Sequence, residues 1–177
     1  MSKPIDRRSF LKIGALAGIT RSTSVFGTNT HERSLSFYNL HTSENLKTVY
    51  WAEGLYIPEA LTAINHQLRD YRTGDIRNID RRLLDVLFQL RSRLETTEPF
   101  EVISGYRSPA TNALLHSNSS GVAEHSLHVE GMAADIRIPG RNLALLRKTA
   151  ISMKSGGVGY YPLSQFVHLD VGRVRTW

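Results

Sequence analysis

The chain reads as a single α+β domain, and three observations carry that reading. Its 177 residues suffice for one domain with a sizeable core. Segments of helical period and segments of strand period both occur along it. They follow one another without the regular alternation that marks a doubly wound parallel sheet. The expected architecture is a small antiparallel sheet flanked by helices.

The elements can be justified in chain order. Leu35 and Phe37 alternate with polar neighbours, Thr42-Ser43-Glu44-Asn45 supplies a turn, and Leu46 to Trp51 returns as the second strand of a hairpin. Pro58 opens a helix, as proline does in a first turn, with Leu61, Ile64, Leu68 and Tyr71 at helical spacing. Asp80 caps a second helix whose Leu83, Leu84, Leu87, Leu90 and Leu94 form one apolar stripe for the core. The charged residues Arg81, Arg82, Arg91, Arg93 and Glu95 fall largely off that stripe, onto a solvated face. Pro99 ends this half, and Phe100 to Ile103 reads as a strand that delivers Ser104-Gly105-Tyr106-Arg107 to a loop. A short helix around Ala110 to His116 leads into the polar, glycine-containing stretch Ser117 to Ala123, a loop suited to border a cleft. Met132 to Ile138 reads as a strand, Asn142 caps a helix running through Met153, and Ser155-Gly156-Gly157 breaks it. Two short strands, Val158 to Tyr161 and Phe166 to Val171, follow.

The formal charge of +6 raises nucleic acid as a partner, so the position of the charges matters. Lys3, Arg7, Arg8, Lys12 and Arg21 against Asp6 place a net +4 within residues 1–21, leaving only +2 for the remainder. No basic patch interleaved with aromatics is left downstream, and nucleic acid drops out as a partner. The same leader has the layout of an export signal: a basic start, a modest apolar run from Ile13 to Ile19, then small polar residues through Gly27. It is too short to span a bilayer. Its Arg7-Arg8-Ser9-Phe10-Leu11-Lys12 resembles the bacterial twin-arginine signal, an address read by a receptor rather than an anchor. The expected division is therefore a signal peptide over 1–27 and one domain over 28–177, with the twin-arginine export machinery as a partner and the periplasm as the destination. The absence of cysteine excludes disulfides and thiolate metal sites, so any metal must be held by histidine and carboxylate.

The residues for such a site stand out. Ser126 to Asp135, SLHVEGMAAD, sets His128 and Asp135 seven positions apart across Gly131, and His168 offers a third ligand nearer the C-terminus. Two histidines and one carboxylate leave a tetrahedral zinc with an open corner, which is how catalytic zinc sites differ from closed structural ones. His168 lies in Phe166-Val167-His168-Leu169-Asp170, where a two-residue period puts His168 and Asp170 on one strand face. Asp170 can serve as general base or can orient the histidine. His125 is the other candidate for proton transfer, its ordinary pKa of ~6.5 suiting a shuttle near neutral pH. Glu130 is read as a solvated loop carboxylate, Ser126 as a loop-fixing hydroxyl and Gly131 as a backbone requirement. Tyr106, Tyr160 and Tyr161 are either cleft-lining or core, and His31, His41, His66 and His116 stand in no comparable spacing.

The ten-residue segment matches the SxHxxGxAxD signature of the zinc D-Ala-D-Ala peptidases at each of its fixed positions. SGYRSPATN at 104–112 and GVGYYPLSQFVHLDVGRVRTW at 157–177 resemble the murein endopeptidase branch of that superfamily. The resemblance covers residues 100–177 closely and the earlier helices loosely. It implies a Hedgehog/DD-peptidase-like fold, one zinc ion on His128, Asp135 and His168, and Arg107 gripping a substrate carboxylate or carbonyl. Many relatives carry an acidic base three residues before the final histidine, where this chain has Gln165. The function so implied is hydrolysis of peptide cross-links in peptidoglycan by zinc-activated water. The alternatives are a D,D- or L,D-carboxypeptidase that trims stem peptides and a non-catalytic peptidoglycan-binding zinc protein.

Overall fold

The computed structural model describes residues 32–118 and 123–177. The expected signal peptide and His31 lie outside them. Strands β1 (Glu32–Asn39) and β2 (Asn45–Ala52) form the expected antiparallel hairpin, with Phe37 opposite Leu46 and Leu35 opposite Thr48. The buried faces of Leu35 and Phe37 alternate with partly exposed neighbours, as a half-covered strand requires. A two-residue strand, β3 (Leu55–Tyr56), borders β2 and was not foreseen.

Helix α1 (Pro58–Gln67) begins on its proline. It stops before Tyr71, contrary to the expected stripe, because Asp70 turns the chain: its side chain accepts from the Arg72 amide at 2.9 Å and its carbonyl from the Gly74 amide at 2.7 Å. Tyr71 instead stacks on His41 at 3.7 Å between ring centroids. Helix α2 (Arg81–Arg93) is capped by Asp80, whose carboxylate accepts from the Arg82 amide, and Leu83, Leu84, Leu87 and Leu90 are wholly buried. Arg91 departs from the solvated face: its guanidinium reaches in to donate to the Ser34 carbonyl at 2.6 Å.

After the two helices the chain enters β4 (Phe100–Ser104) alongside the free edge of β1 and parallel to it, the helical crossover making that direction possible. Helix α3 (Pro109–Asn118) follows, then β5 (Ala133–Arg137), α4 (Leu143–Met153) capped by Asn142, and the antiparallel pair β6 (Gly157–Tyr161) and β7 (Phe166–Asp170). A last short strand, β8 (Arg175–Thr176), runs parallel to β6.

The α+β class and the single domain hold, but the sheet is neither small nor purely antiparallel. Among the described residues it has eight strands in the order β3-β2-β1-β4-β5-β7-β6-β8, with two parallel pairs. Strand β5 sits inside it, buried along Ala133 to Ile136, with β4 on one side and β7 on the other. One apolar core runs from the α2 leucines through Phe100, Ile136 and Val167 to Leu146 of α4. No helix among the described residues is long and apolar enough to cross a membrane.

Candidate metal centre and cleft

Asp135 of β5 and His168 of β7 are direct cross-strand partners, so 33 residues of separation collapse to adjacent side chains on one face. His128 reaches the same point from the turn preceding β5. That turn is held by the Ser126 hydroxyl accepting the His128 amide at 3.3 Å, and by Gly131, whose φ of +69° is closed to most side chains. The Gly131 carbonyl in turn accepts the Asp80 amide at 2.9 Å, tying the turn to the start of α2.

Three ligand atoms converge. His128 Nε2 lies 3.2 Å from Asp135 Oδ1 and 3.1 Å from His168 Nδ1, and His168 Nδ1 lies 2.9 Å from Asp135 Oδ1. An ion with tetrahedral bonds of ~2.0–2.1 Å separates its ligands by about 3.3 Å, close to this triangle. The outward nitrogens fix the tautomers. His128 Nδ1 donates to the Gly105 carbonyl at 2.7 Å and His168 Nε2 to Asp170 Oδ2 at 3.1 Å, so in the neutral rings both inward nitrogens carry lone pairs. Two lone pairs and a carboxylate oxygen facing one another with no proton among them form a cation site. The electrostatics favour positive charge at this point: burial alone would lower the His168 imidazole, but Asp135 and Asp170 push it up to about 9, so a bound cation takes the place of the proton that His168 otherwise carries at neutral pH. Burial alone would raise Asp135, yet the two histidines hold it far below the carboxylate range. These are the groups that His/carboxylate chemistry offers to a divalent ion, and the three fit one.

Asp170 is placed differently from the ligands. Its side chain is fully buried behind His168 and accepts from the Gly157 and Gly172 amides at 2.9 Å each and from Arg175 Nη1 and Nη2 at 3.2 and 2.8 Å, besides His168. Its acceptor positions are taken. Gly157 leaves the space for this: a Cβ there would stand 2.4 Å from Asp170 Oδ2. The Ser155-Gly156-Gly157 stretch is thus more than a helix break, and the signal that could have shown it is the doubled glycine directly before a strand.

The triad opens into a cleft of about 510 Å³. Arg107, His125, Ser126, Tyr161, Phe166 and Trp177 border it. Arg107 is buried, with Nη2 3.7 Å from Asp135 Oδ2 and Nη1 donating to Asn112 Oδ1 at 3.3 Å. Its Nε has no hydrogen-bond partner among the described residues, and burial lowers the guanidinium pKa. Asn112, within the SGYRSPATN stretch but given no role there, both steadies Arg107 and donates to the Ala123 and Glu124 carbonyls at 3.2 and 3.0 Å. His125 is exposed on the cleft wall. Glu130 pairs with Arg77 at 2.6 Å, outside the cleft lining. Gln165 sits at the β6–β7 turn with φ +57°, its amide turned to the Pro162 carbonyl. Tyr161 lines the cleft, Tyr106 is buried and Tyr160 is partly buried against the core.

A mixed sheet whose inner strands carry Asp135 and His168, with His128 joining them from the turn before β5, fits the fold of the M15 peptidases. The chain belongs to one family of that class: residues 27–177 match the family model described as Peptidoglycan L,D-endopeptidase MepK. Among its relatives, the Peptidoglycan L,D-endopeptidase MepK of Escherichia coli K12 is 44% identical over 176 residues, 97% of each chain. The protein named "Probable peptidoglycan L,D-endopeptidase MepK" of Haemophilus influenzae is 36% identical over 177 residues, 97% of this chain and 95% of its own.

Proposed function

We propose that this protein is an exported, zinc-dependent endopeptidase that hydrolyses peptide cross-links of peptidoglycan in the periplasm. The observation that carries the reading is the triangle of His128 Nε2, Asp135 Oδ1 and His168 Nδ1 with edges of 2.9–3.2 Å, bordering a cleft of about 510 Å³. The family and the names of its relatives supply the substrate class. The leader resembling a twin-arginine signal agrees with that compartment.

His128, Asp135 and His168 would hold the ion, which when bound polarises a carbonyl and lowers the pKa of water from 15.7 toward ~7. Asp170 is a positioning residue rather than the general base: with five donors around it, it keeps the His168 proton on Nε2 and so keeps Nδ1 free as a ligand. Arg107 lines the cleft beside the triad, where its guanidinium binds a substrate carboxylate or the charge that develops on the scissile carbonyl oxygen. His125 on the cleft wall is the group that moves the proton to the leaving amine.

The test is incubation of the purified mature protein with defined cross-linked muropeptide dimers, with and without chelator, followed by mass analysis. Conversion of dimers to monomers that stops on chelation and resumes with zinc is expected. Release of a terminal D-amino acid with the cross-links intact would instead make the protein a carboxypeptidase, and dimers left whole in the presence of zinc would refute hydrolysis altogether.

A further inference from the structure

Trp177 combines two properties that seldom coincide: it is among the most firmly held side chains at the cleft, and it is 47% exposed. Its indole Nε1 donates to the Tyr161 hydroxyl at 2.9 Å. Its backbone is paired to β6, with its amide donating to the Val158 carbonyl at 3.3 Å and its carbonyl accepting from the Tyr160 amide at 3.1 Å. The Arg175 guanidinium lies 4.8 Å from the ring. Beneath the ring, Gly159 leaves the space it occupies: a Cβ there would stand 2.7–2.8 Å from three indole atoms. A buried tryptophan held this way would be core. Here the ring borders open cleft 5.2 Å from the His168 ring, and the stacked pair Tyr161 and Phe166, 4.5 Å apart, continues the same wall.

We propose that Trp177 is a specificity-determining residue, a rigid platform against which the aliphatic stem of the diamino-acid residue adjoining the scissile bond packs. This rests on the peptidoglycan reading above. The ring lies beside a zinc-ligand histidine, so it meets the residue at the cleaved bond rather than a sugar further along the strand. Arg107 borders the same cleft and takes a carboxylate of the stem peptide. Because the ring is already immobilised, little side-chain entropy is lost when substrate covers it, and apolar contact converts to affinity with little offset.

Two measurements test this. In a Trp51→Phe background Trp177 is the sole fluorophore of its kind, and titration with a stem peptide containing the diamino acid should shift its emission. A peptide with alanine at that position should bind roughly tenfold more weakly, and attached disaccharide should make no difference. In cross-link cleavage, Trp177→Ala should raise KM roughly tenfold with kcat and zinc content nearly unchanged, and Trp177→Phe should recover most of the loss. Emission indifferent to saturating stem peptide, tighter binding of the glycan-bearing form, or a loss confined to kcat and zinc content would each overturn the assignment. If the wild-type protein cleaves no cross-link, the functional reading falls, while the titration still reports whether Trp177 meets the peptide.

Discussion

His168 illustrates how much chemistry a single ring can be made to carry. Nδ1 faces the cation site, Nε2 faces Asp170, and the tautomer is set by the second contact so that the first can serve. Replacing His128 with Ala removes one corner of the triad and should abolish both zinc retention and cleavage of purified sacculi; full activity in a metal-free variant would contradict the site. Asp170→Asn keeps the shape but withdraws the charge that orients His168, and should weaken zinc affinity by about 10–100-fold in chelator competition. Arg175→Met, which removes two of the five donors to Asp170, should produce a smaller loss in the same direction. Unchanged zinc affinity in both variants would return Asp170 to candidacy as a proton acceptor. At this scale the three groups that converge were legible in the sequence as candidate ligands, because spacing and residue chemistry are local. The division of labour between Asp170 and the ligands was not: a two-residue period places both on one face but does not say which one stands behind the other.

At the scale of elements, legibility follows locality. The β1–β2 hairpin, the capped helix α2 and the capped helix α4 could be read because alternation, leucine spacing and the cap residues lie within each segment. Strands β3 and β8, two residues each, carry too little pattern to register, and the parallel pairing of β1 with β4 depends on a crossover some 60 residues long rather than on either strand. Helix α2 is also where stability concentrates. Leu87→Ala, at a wholly buried core position, should cost about 2–5 kcal/mol in denaturant unfolding, whereas Asp80→Ala, which removes the cap and an exposed ion pair with Arg82, should cost about 1 kcal/mol. A Leu87→Ala cost below that of the cap would mean that the core relaxes around the cavity.

For the whole molecule, the site works as a clasp across the fold. The triad joins β5, β7 and the turn anchored to α2, so binding an ion stabilises the folded chain over the unfolded one. At free zinc ~1,000 times its dissociation constant the gain is about 4 kcal/mol, and chelation should lower the thermal midpoint accordingly; a midpoint indifferent to chelator would show that the folded chain does not bind the ion. Away from the cleft, Asp70 sets part of the acid limb. Burial alone would raise its pKa, but hydrogen bonds from Thr111, from the Ser108 and Arg72 amides and from the Ser108 hydroxyl lower it to about 2. The folded pKa lies below the unfolded one, so its contribution, about 2 kcal/mol, is fully present above pH ~4 and is lost as pH falls through ~2. Asp70→Asn should remove that slope from the stability profile; a variant retaining it would place the acid sensitivity elsewhere. Residue type and short-range spacing were enough for the α+β class, the main elements, the candidate metal-ligating residues and the resemblance to a peptidase family. The mixed eight-stranded sheet, the burial of Asp170 behind His168, the anchoring of Arg107 by Asn112 and the arrival of Trp177 beside the triad appear only once the chain has folded. Those depend on which distant strands become neighbours, and pairing between strands is a property of the packed chain, not of any segment in it.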